Sequence, residues 1–275
     1  MARVWHISGA NTGFGLELAL KALAEGDRVI AAVRTPSKVP DSLKRSDVEG
    51  EMNGYAAKAF GAFGRLDVLV NNAAYSYMGA IEESEDSAVK AQFDTNVFAL
   101  LRLVRAVLPG LRKQGSGTIV NFSSIGGLHS YPSNGIYCAT KFAVEAITQA
   151  LATEIAPFGL NAVIVEPGYF RTSFLTSVAS GANIAPALDV YEGTPAHEAR
   201  AAFTKYNGAQ PGNPKEGAAR IWEYVADAGL LKGKNKLLRL PLGTDTGAVL
   251  KQHAAELAET ASHYEEVWSS TDFKE

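Results

Sequence analysis

The stretch Val4-Trp5-His6-Ile7-Ser8-Gly9-Ala10-Asn11-Thr12-Gly13-Phe14-Gly15 decides how the chain is organised. A mostly apolar run of strand length passes directly into glycines at 9, 13 and 15, and a helical pattern follows from about Gly15 to Gly26. A strand that turns this tightly into a helix needs residues that accept positive φ and close backbone approach, which glycine supplies. The helix start then offers unpaired amide N–H groups and the positive end of its dipole, a natural seat for phosphate. Glycines also serve plain turns, so the cluster gains its meaning from its place between strand and helix.

Working outward, the strand-then-helix pattern repeats. Arg28–Val33, Val68–Asn71, Thr118–Phe122, Asn161–Glu166 and Leu237–Pro241 read as further strands, and the segments before Val68, Thr118 and Asn161 read as helical. The inner runs are uniformly apolar rather than alternating, as strands covered on both faces of a parallel sheet should be. The expected fold class is α/β: a doubly wound parallel sheet flanked by helices, in a single domain over residues 1–275. Two stretches depart from regularity. Between Arg34 and Ser46, Thr35-Pro36, Pro40-Asp41 and the charged Lys44-Arg45-Ser46-Asp47 leave room for little more than a helical turn, so a shortened sheet edge is expected there. After Gly168, Ser180-Gly181, Pro186, Gly193 and Pro195 break the pattern, and residues of about 168–215 read as a mobile substrate loop or lid. A polar helical extension of about 244–275 closes the chain.

Composition narrows the class. Hydrophobic residues at 47% supply a large core, and charged residues at 20% argue against disorder. A formal net charge of -3 gives no electrostatic case for nucleic acid or an anionic membrane as partner. With Cys138 as its one cysteine the chain forms no internal disulfide and no Cys-rich metal site. His6 and His129 lack the neighbours of a metal site or triad, so no metal is expected. The sequence carries no apolar run long enough to span a bilayer and no secretory leader pattern, so a cytoplasmic location is expected.

The chemistry lies in Tyr137-Cys138-Ala139-Thr140-Lys141, where a phenol and an ammonium stand at i and i+4 on one helix face. A free tyrosine is almost wholly protonated at neutral pH, and a nearby cation favours its phenolate. Such a phenol can exchange a proton with a developing alkoxide. The pair is common by chance and gains meaning from its company. Ser123 and Ser124 follow Thr118–Phe122, at a strand's carboxyl end, where ligands bind in open α/β sheets. Either hydroxyl there could hold a substrate oxygen as its charge changes. Just past the second strand, Ala32-Val33-Arg34 has a guanidinium and no carboxylate. A carboxylate would accept from a ribose 2′-OH, whereas an arginine suits a 2′-phosphate, so NADP(H) is the expected cofactor unless Arg34 is an ordinary surface charge.

Taken together, the chain resembles the short-chain dehydrogenase/reductase family to about residue 243. The resemblance is carried by Gly9-x-x-x-Gly13-x-Gly15, Asn71-Asn72-Ala73-Ala74, Asn96, Ser124, Tyr137, Lys141 and Pro167-Gly168. It implies a Rossmann-like fold and hydride transfer between nicotinamide and a carbonyl or alcohol carbon. The thirteen-residue separation from Tyr137, as in the family, selects Ser124 over Ser123. By resemblance Tyr137 is the acid/base, Lys141 tunes it and bonds the nicotinamide ribose, Ser124 positions the carbonyl oxygen, and Asn96 holds a water in a proton relay. Gly9, Asn11, Thr12, Gly13, Phe14, Gly15 and Asn72 would line the dinucleotide, Pro167, Gly168 and Thr172 the nicotinamide, and Asp47 the adenine.

Two departures stand out. Ala74 occupies a place where the family usually has Gly, and the short Arg34–Asp47 connection puts the adenine pocket and Asp47 in question. Phe98–Leu111 carries apolar residues at helical spacing; the family uses the equivalent helix between subunits, which implies a homodimer or homotetramer, although such a face also suits packing on the sheet. Tyr75, Tyr77, Met78, His129, Tyr131, Tyr169, Phe170 and Phe174 follow strand ends and suit an apolar or ring-containing small molecule, or ordinary core. Two rival readings remain: an NAD-preferring dehydrogenase of the same fold, and a non-catalytic dinucleotide-binding regulator.

Overall fold

A computed structural model describes residues 2–33 and 55–273. Six parallel strands form one sheet in the order β2-β1-β3-β4-β5-β6: β1 Val4–Ser8, β2 Arg28–Ala32, β3 Val68–Asn71, β4 Gly117–Phe122, β5 Leu160–Pro167 and β6 Arg239–Leu242. Helices α1 Gly13–Ala24, α2 Tyr55–Gly61, α3 Asp86–Phe93, α4 Ala99–Gln114 and α5 Gly135–Ile155 connect the first five strands. Then come α6 Thr176–Ala179, α7 Pro195–Tyr206, α8 Pro214–Ala226, and after β6 the exposed α9 Thr244–His263 and α10 Glu265–Ser269. Among the described residues no helix is long and apolar enough to cross a membrane.

The apolar side chains of the strands divide between two cores. Trp5, Ile7, Val68, Val70, Val120, Phe122, Val163 and Val165 point to one face and pack with Leu18 of α1 and Ile221 of α8. Val4, Leu69, Ile119 and Ala162 point to the other and pack with Val104, Val107 and Leu111 of α4 and Val144 and Leu151 of α5. The apolar periodicity within Phe98–Leu111 is therefore used on the sheet, while Phe98 itself remains 48% exposed.

The helix boundaries differ from expectation in instructive ways. α1 begins at Gly13, inside the glycine cluster, and β2 ends at Ala32. The last strand lies about two residues later than Leu237–Pro241, because Leu237 is 70% exposed and pairing with β5 starts at Arg239 opposite Ile164. β6 borders the sheet on that side, which is where a strand tolerates a proline such as Pro241. Within 168–215 the short helices α6 and α7 are joined by loops.

Asp27, buried in the turn between α1 and β2, ties three elements. Its carboxylate accepts from Arg3 N at 2.8 Å, Trp5 Nε1 at 2.9 Å and Trp222 Nε1 at 2.9 Å. Removing it leaves the buried Trp5 indole and the partly buried Trp222 indole without their acceptor. Asp27→Ala is expected to lower unfolding free energy by about 3 kcal/mol in chemical denaturation, with Asp27→Asn milder; a loss below about 1 kcal/mol for the alanine variant would contradict this role.

Candidate active site

The chain passes from β2 across β1 to β3, so the loops leaving β1 and β3 part to opposite faces and open a crevice at the carboxyl edge. Two side chains stitch that split. Ser8 Oγ accepts from Asn72 N at 3.0 Å and Ala73 N at 3.1 Å and donates to Val70 O at 3.2 Å. Asn72 Nδ2 donates back to Ser8 O at 2.9 Å and Gly9 O at 3.3 Å. Asn72 thus acts on the glycine loop's backbone. The loop needs its glycines: Gly9 has φ +67°, and a Cβ on Gly15 would come 2.3 Å from Gly9 O. Phe14 is buried among Phe122 and Phe170, with ring centroids 5.5 and 4.8 Å away, so it packs the loop onto the core. Thr12 precedes α1 without a side-chain cap, which leaves the first helical amides facing the crevice.

The crevice widens into a cavity of about 1020 Å³ that runs from Ala32 and Val33 past Gly9–Phe14 and Asn72–Ala74 to Tyr137, Lys141 and Pro167–Thr172. Its dimensions and its amide-lined end fit a dinucleotide. Gly168 closes one corner: a Cβ there would strike the carboxylate of Asp245, which accepts from Tyr169 N at 2.7 Å. Thr172 caps the next turn through Phe174 N and packs against Gly13.

Ser124, Tyr137 and Lys141 meet in this cavity. Ser124 Oγ accepts from Gly126 N at 3.1 Å, which leaves its own proton free to donate, and Tyr137 is its side-chain partner. Burial raises the proton affinity of the Tyr137 phenol well above its ordinary value, and the Ser124 bond only partly opposes this. Burial therefore outweighs the Ser124 bond and keeps the phenol protonated. Lys141 Nζ lies 5.7 Å from the Tyr137 ring centre and donates to Phe122 O at 2.7 Å. Burial lowers Lys141 to about 8, with the Glu145 carboxylate working in the opposite direction.

Asn96 sits in a π-helical turn, Asp94–Phe98, between α3 and α4. Such turns recur at functional sites. Its amide is taken up by structure: Oδ1 accepts from Tyr75 N at 3.1 Å, and Nδ2 donates to Tyr75 O at 2.9 Å and Thr140 Oγ1 at 3.0 Å. Asn96 thereby fixes both the loop after β3 and the helix turn between Tyr137 and Lys141.

Of the aromatic set, Tyr75, Tyr131, Tyr169, Phe170 and Phe174 line the cavity, whereas Met78 is buried in a bridge to Ile184. Leu175, Asn183 and Phe203 also line it and were not anticipated. Nor was the latch holding that wall: Glu83 accepts from Ala80 N at 2.8 Å, Leu188 N at 3.0 Å and Arg200 Nη1 at 3.1 Å. Asp245 was missed as well; its place at a helix start signals a cap, but not its reach to Tyr169. Arg34 and Asp47 lie outside the described residues. Among those described, no three His, Cys, Asp or Glu side chains converge as a metal site.

Comparisons with known proteins agree with this geometry. The sequence pattern described as short chain dehydrogenase matches residues 3–183. The chain is 34% identical over 253 residues to the oxidoreductase YusZ of Bacillus subtilis, covering 86% of this chain and 88% of that one. A short-chain dehydrogenase structure from Streptomyces avermitilis superposes with a TM-score of 0.85 at 33% identity, covering 99% of this chain and 100% of that one. A Burkholderia phymatum short-chain dehydrogenase/reductase solved in complex with NAD shares the fold at TM-score 0.77 and 22% identity, over 94% and 95% of the two chains. With the glycine loop clasped by Asn72 and a phenol, an ammonium and a hydroxyl gathered at the same sheet edge, the chain belongs to the short-chain dehydrogenase family of oxidoreductases.

Proposed function

We propose that this oxidoreductase is an NADP(H)-dependent carbonyl reductase or alcohol dehydrogenase acting on a small apolar or aromatic molecule. The observation that carries it is the convergence of Ser124, Tyr137 and Lys141 on one cavity with the glycine loop. Gly9, Asn11, Thr12, Gly13, Asn72, Pro167, Gly168 and Thr172 would hold the cofactor, and bound nicotinamide would supply or accept the hydride.

The protein's part is positioning and proton handling. Ser124 donates its hydroxyl to the substrate oxygen and steadies the charge that develops there. Tyr137, kept neutral by burial, gives its proton to that oxygen in the reducing direction and takes one in the oxidising direction. Lys141 supplies the adjacent positive charge that makes a transient phenolate tolerable. Asn96 keeps the Tyr137–Lys141 turn in register through Thr140. The aromatic lining of Tyr131, Tyr169, Phe174 and Phe203 favours an apolar or ring-containing substrate. The preference for NADP(H) rests on Arg34 and on the lack of a carboxylate immediately after β2 in the sequence. A cytoplasmic homodimer or homotetramer completes the proposal; the exposed Phe98, in the turn before α4, and Phe142 of α5 support the oligomer.

Turnover of NADPH with a panel of carbonyl compounds tests the reading; NADPH binding without any turnover would instead favour a dinucleotide-binding regulator. Tyr137→Phe is expected to lower kcat by at least about a hundredfold with NADPH affinity nearly unchanged. Residual activity within about tenfold of wild type would remove Tyr137 from the acid/base role. Arg34→Ala should weaken NADPH binding far more than NADH binding in equilibrium titrations, and equal losses would rule out recognition of the 2′-phosphate.

A further inference from the structure

Beneath the catalytic face lies a charged cluster that the proposed reaction leaves unused. Glu145 of α5 and Glu166 of β5 are 4% and 0% exposed. Arg239, at the start of β6, places its Nη1 on Glu145 Oε2 and Glu166 Oε1 together. Tyr137, Lys141 and Glu145 follow one another at i, i+4 and i+8, so the carboxyl lies one turn from the ammonium on the same helix face. Ser123, which follows β4, is buried beside Glu145. Gly127 closes the cradle: a Cβ there would come 2.3 Å from Ser123 Oγ and 3.0 Å from Glu145 Oε1.

One guanidinium does not neutralise two buried carboxylates, and like charges this close favour a proton on one of them. Burial raises both acids, and repulsion from Glu145 helps push Glu166 up to about 7 against the pull of Arg239. Were both ionised, Glu145 Oε1 and Glu166 Oε2 would be buried acceptors with no donor, a shortage that one proton between the pair relieves. The charged groups facing Glu145 are then Lys141 on its own helix, Glu166 on β5 and Arg239 on β6. Of the two acids, it is Glu145 that acts on Lys141.

We propose that Glu145, clamped with Glu166 on Arg239, is a positioning residue whose negative charge keeps Lys141 protonated. Arg239 holds both carboxyls, and Glu166 takes any proton the pair shares and gives it up before Lys141 titrates, so Glu145 is the anion one turn from Lys141 on both sides of that step. This rests on the proposed role of Lys141 beside Tyr137.

The test uses the full chain without cofactor, carrying lysine labelled with ¹³C at Cε, with the Lys141 signal assigned by its loss in Lys141→Arg. Wild-type Lys141 should titrate near 8. Glu145→Gln removes the anion and should move that midpoint down by about one pH unit, because the ammonium then loses a stabilising charge. In turnover, the alkaline limb of kcat/KM should move to lower pH by the same amount, since the protonated lysine is lost sooner as pH rises. Glu166→Gln imitates the protonated acid and should leave both midpoints in place or raise them. A Glu145→Gln midpoint unchanged from wild type, or an equal fall in both variants, overturns the proposal. Should Glu145→Gln not fold, Glu166→Gln decides alone, a lowered midpoint counting against and an unchanged or raised one in favour. The titration needs no turnover, so failure to oxidise NADPH would defeat the proposed function and leave this measurement standing.

Discussion

The hydrogen-bond clasp between Ser8 and Asn72 sets the geometry on which the site is built. β1 and β3 are neighbours in the sheet, yet their helices leave toward opposite faces, so their carboxyl ends must separate while their backbones stay satisfied. Ser8 takes two amides from the far loop, and Asn72 returns its amide to two carbonyls of the near one. This holds the glycine loop low and open, with α1's first amides turned outward. The same closeness explains Gly15: its Cα lies so near Gly9 O and Asn72 Nδ2 that any side chain would prise the clasp apart.

Burial governs the chemistry more than charge pairing does. It raises the phenol of Tyr137 and lowers the ammonium of Lys141, so the two proton affinities move in opposite directions. A neutral phenol is the form that a proton donor to a nascent alkoxide requires. A lysine brought down to about 8 responds to modest nearby charge, which is why a carboxylate one turn away acquires leverage.

Local signals made much of this legible. The β1–α1 turn could be read because glycine at 9 and 15 answers a backbone requirement within one short segment, and β3 could be placed at Val68–Asn71 because both its faces are covered. Tyr137 and Lys141 could be paired because helical spacing alone brings them to one face. Contacts between distant segments were not legible. The Glu83–Arg200 pair joins residues 117 apart, and Asp245 meets Tyr169 across 76. Leu237 misled for another reason: apolar character marked a strand where the side chain in fact lies in solvent. The carboxyl pair of Glu145 and Glu166 left no trace in spacing, since α5 and β5 bring them together only once folded.

The short loop from Tyr75 to Glu83 faces two ways. At one end Asn96 and Thr140 moor it to α5; at the other, Met78 N donates to Asn183 O and Met78 O accepts from Ala185 N, while Glu83 grips Leu188 and Arg200. The wall against which a ligand would lean and the helix that would act on it therefore share one mooring. An oversized molecule pressing on that wall would transmit its load to the turn that carries Tyr137 and Lys141, so poor fit would disturb their alignment as well as retention. Trimming a lining ring such as Phe203 enlarges the chamber without disturbing that mooring, whereas altering the loop itself would shift both walls at once.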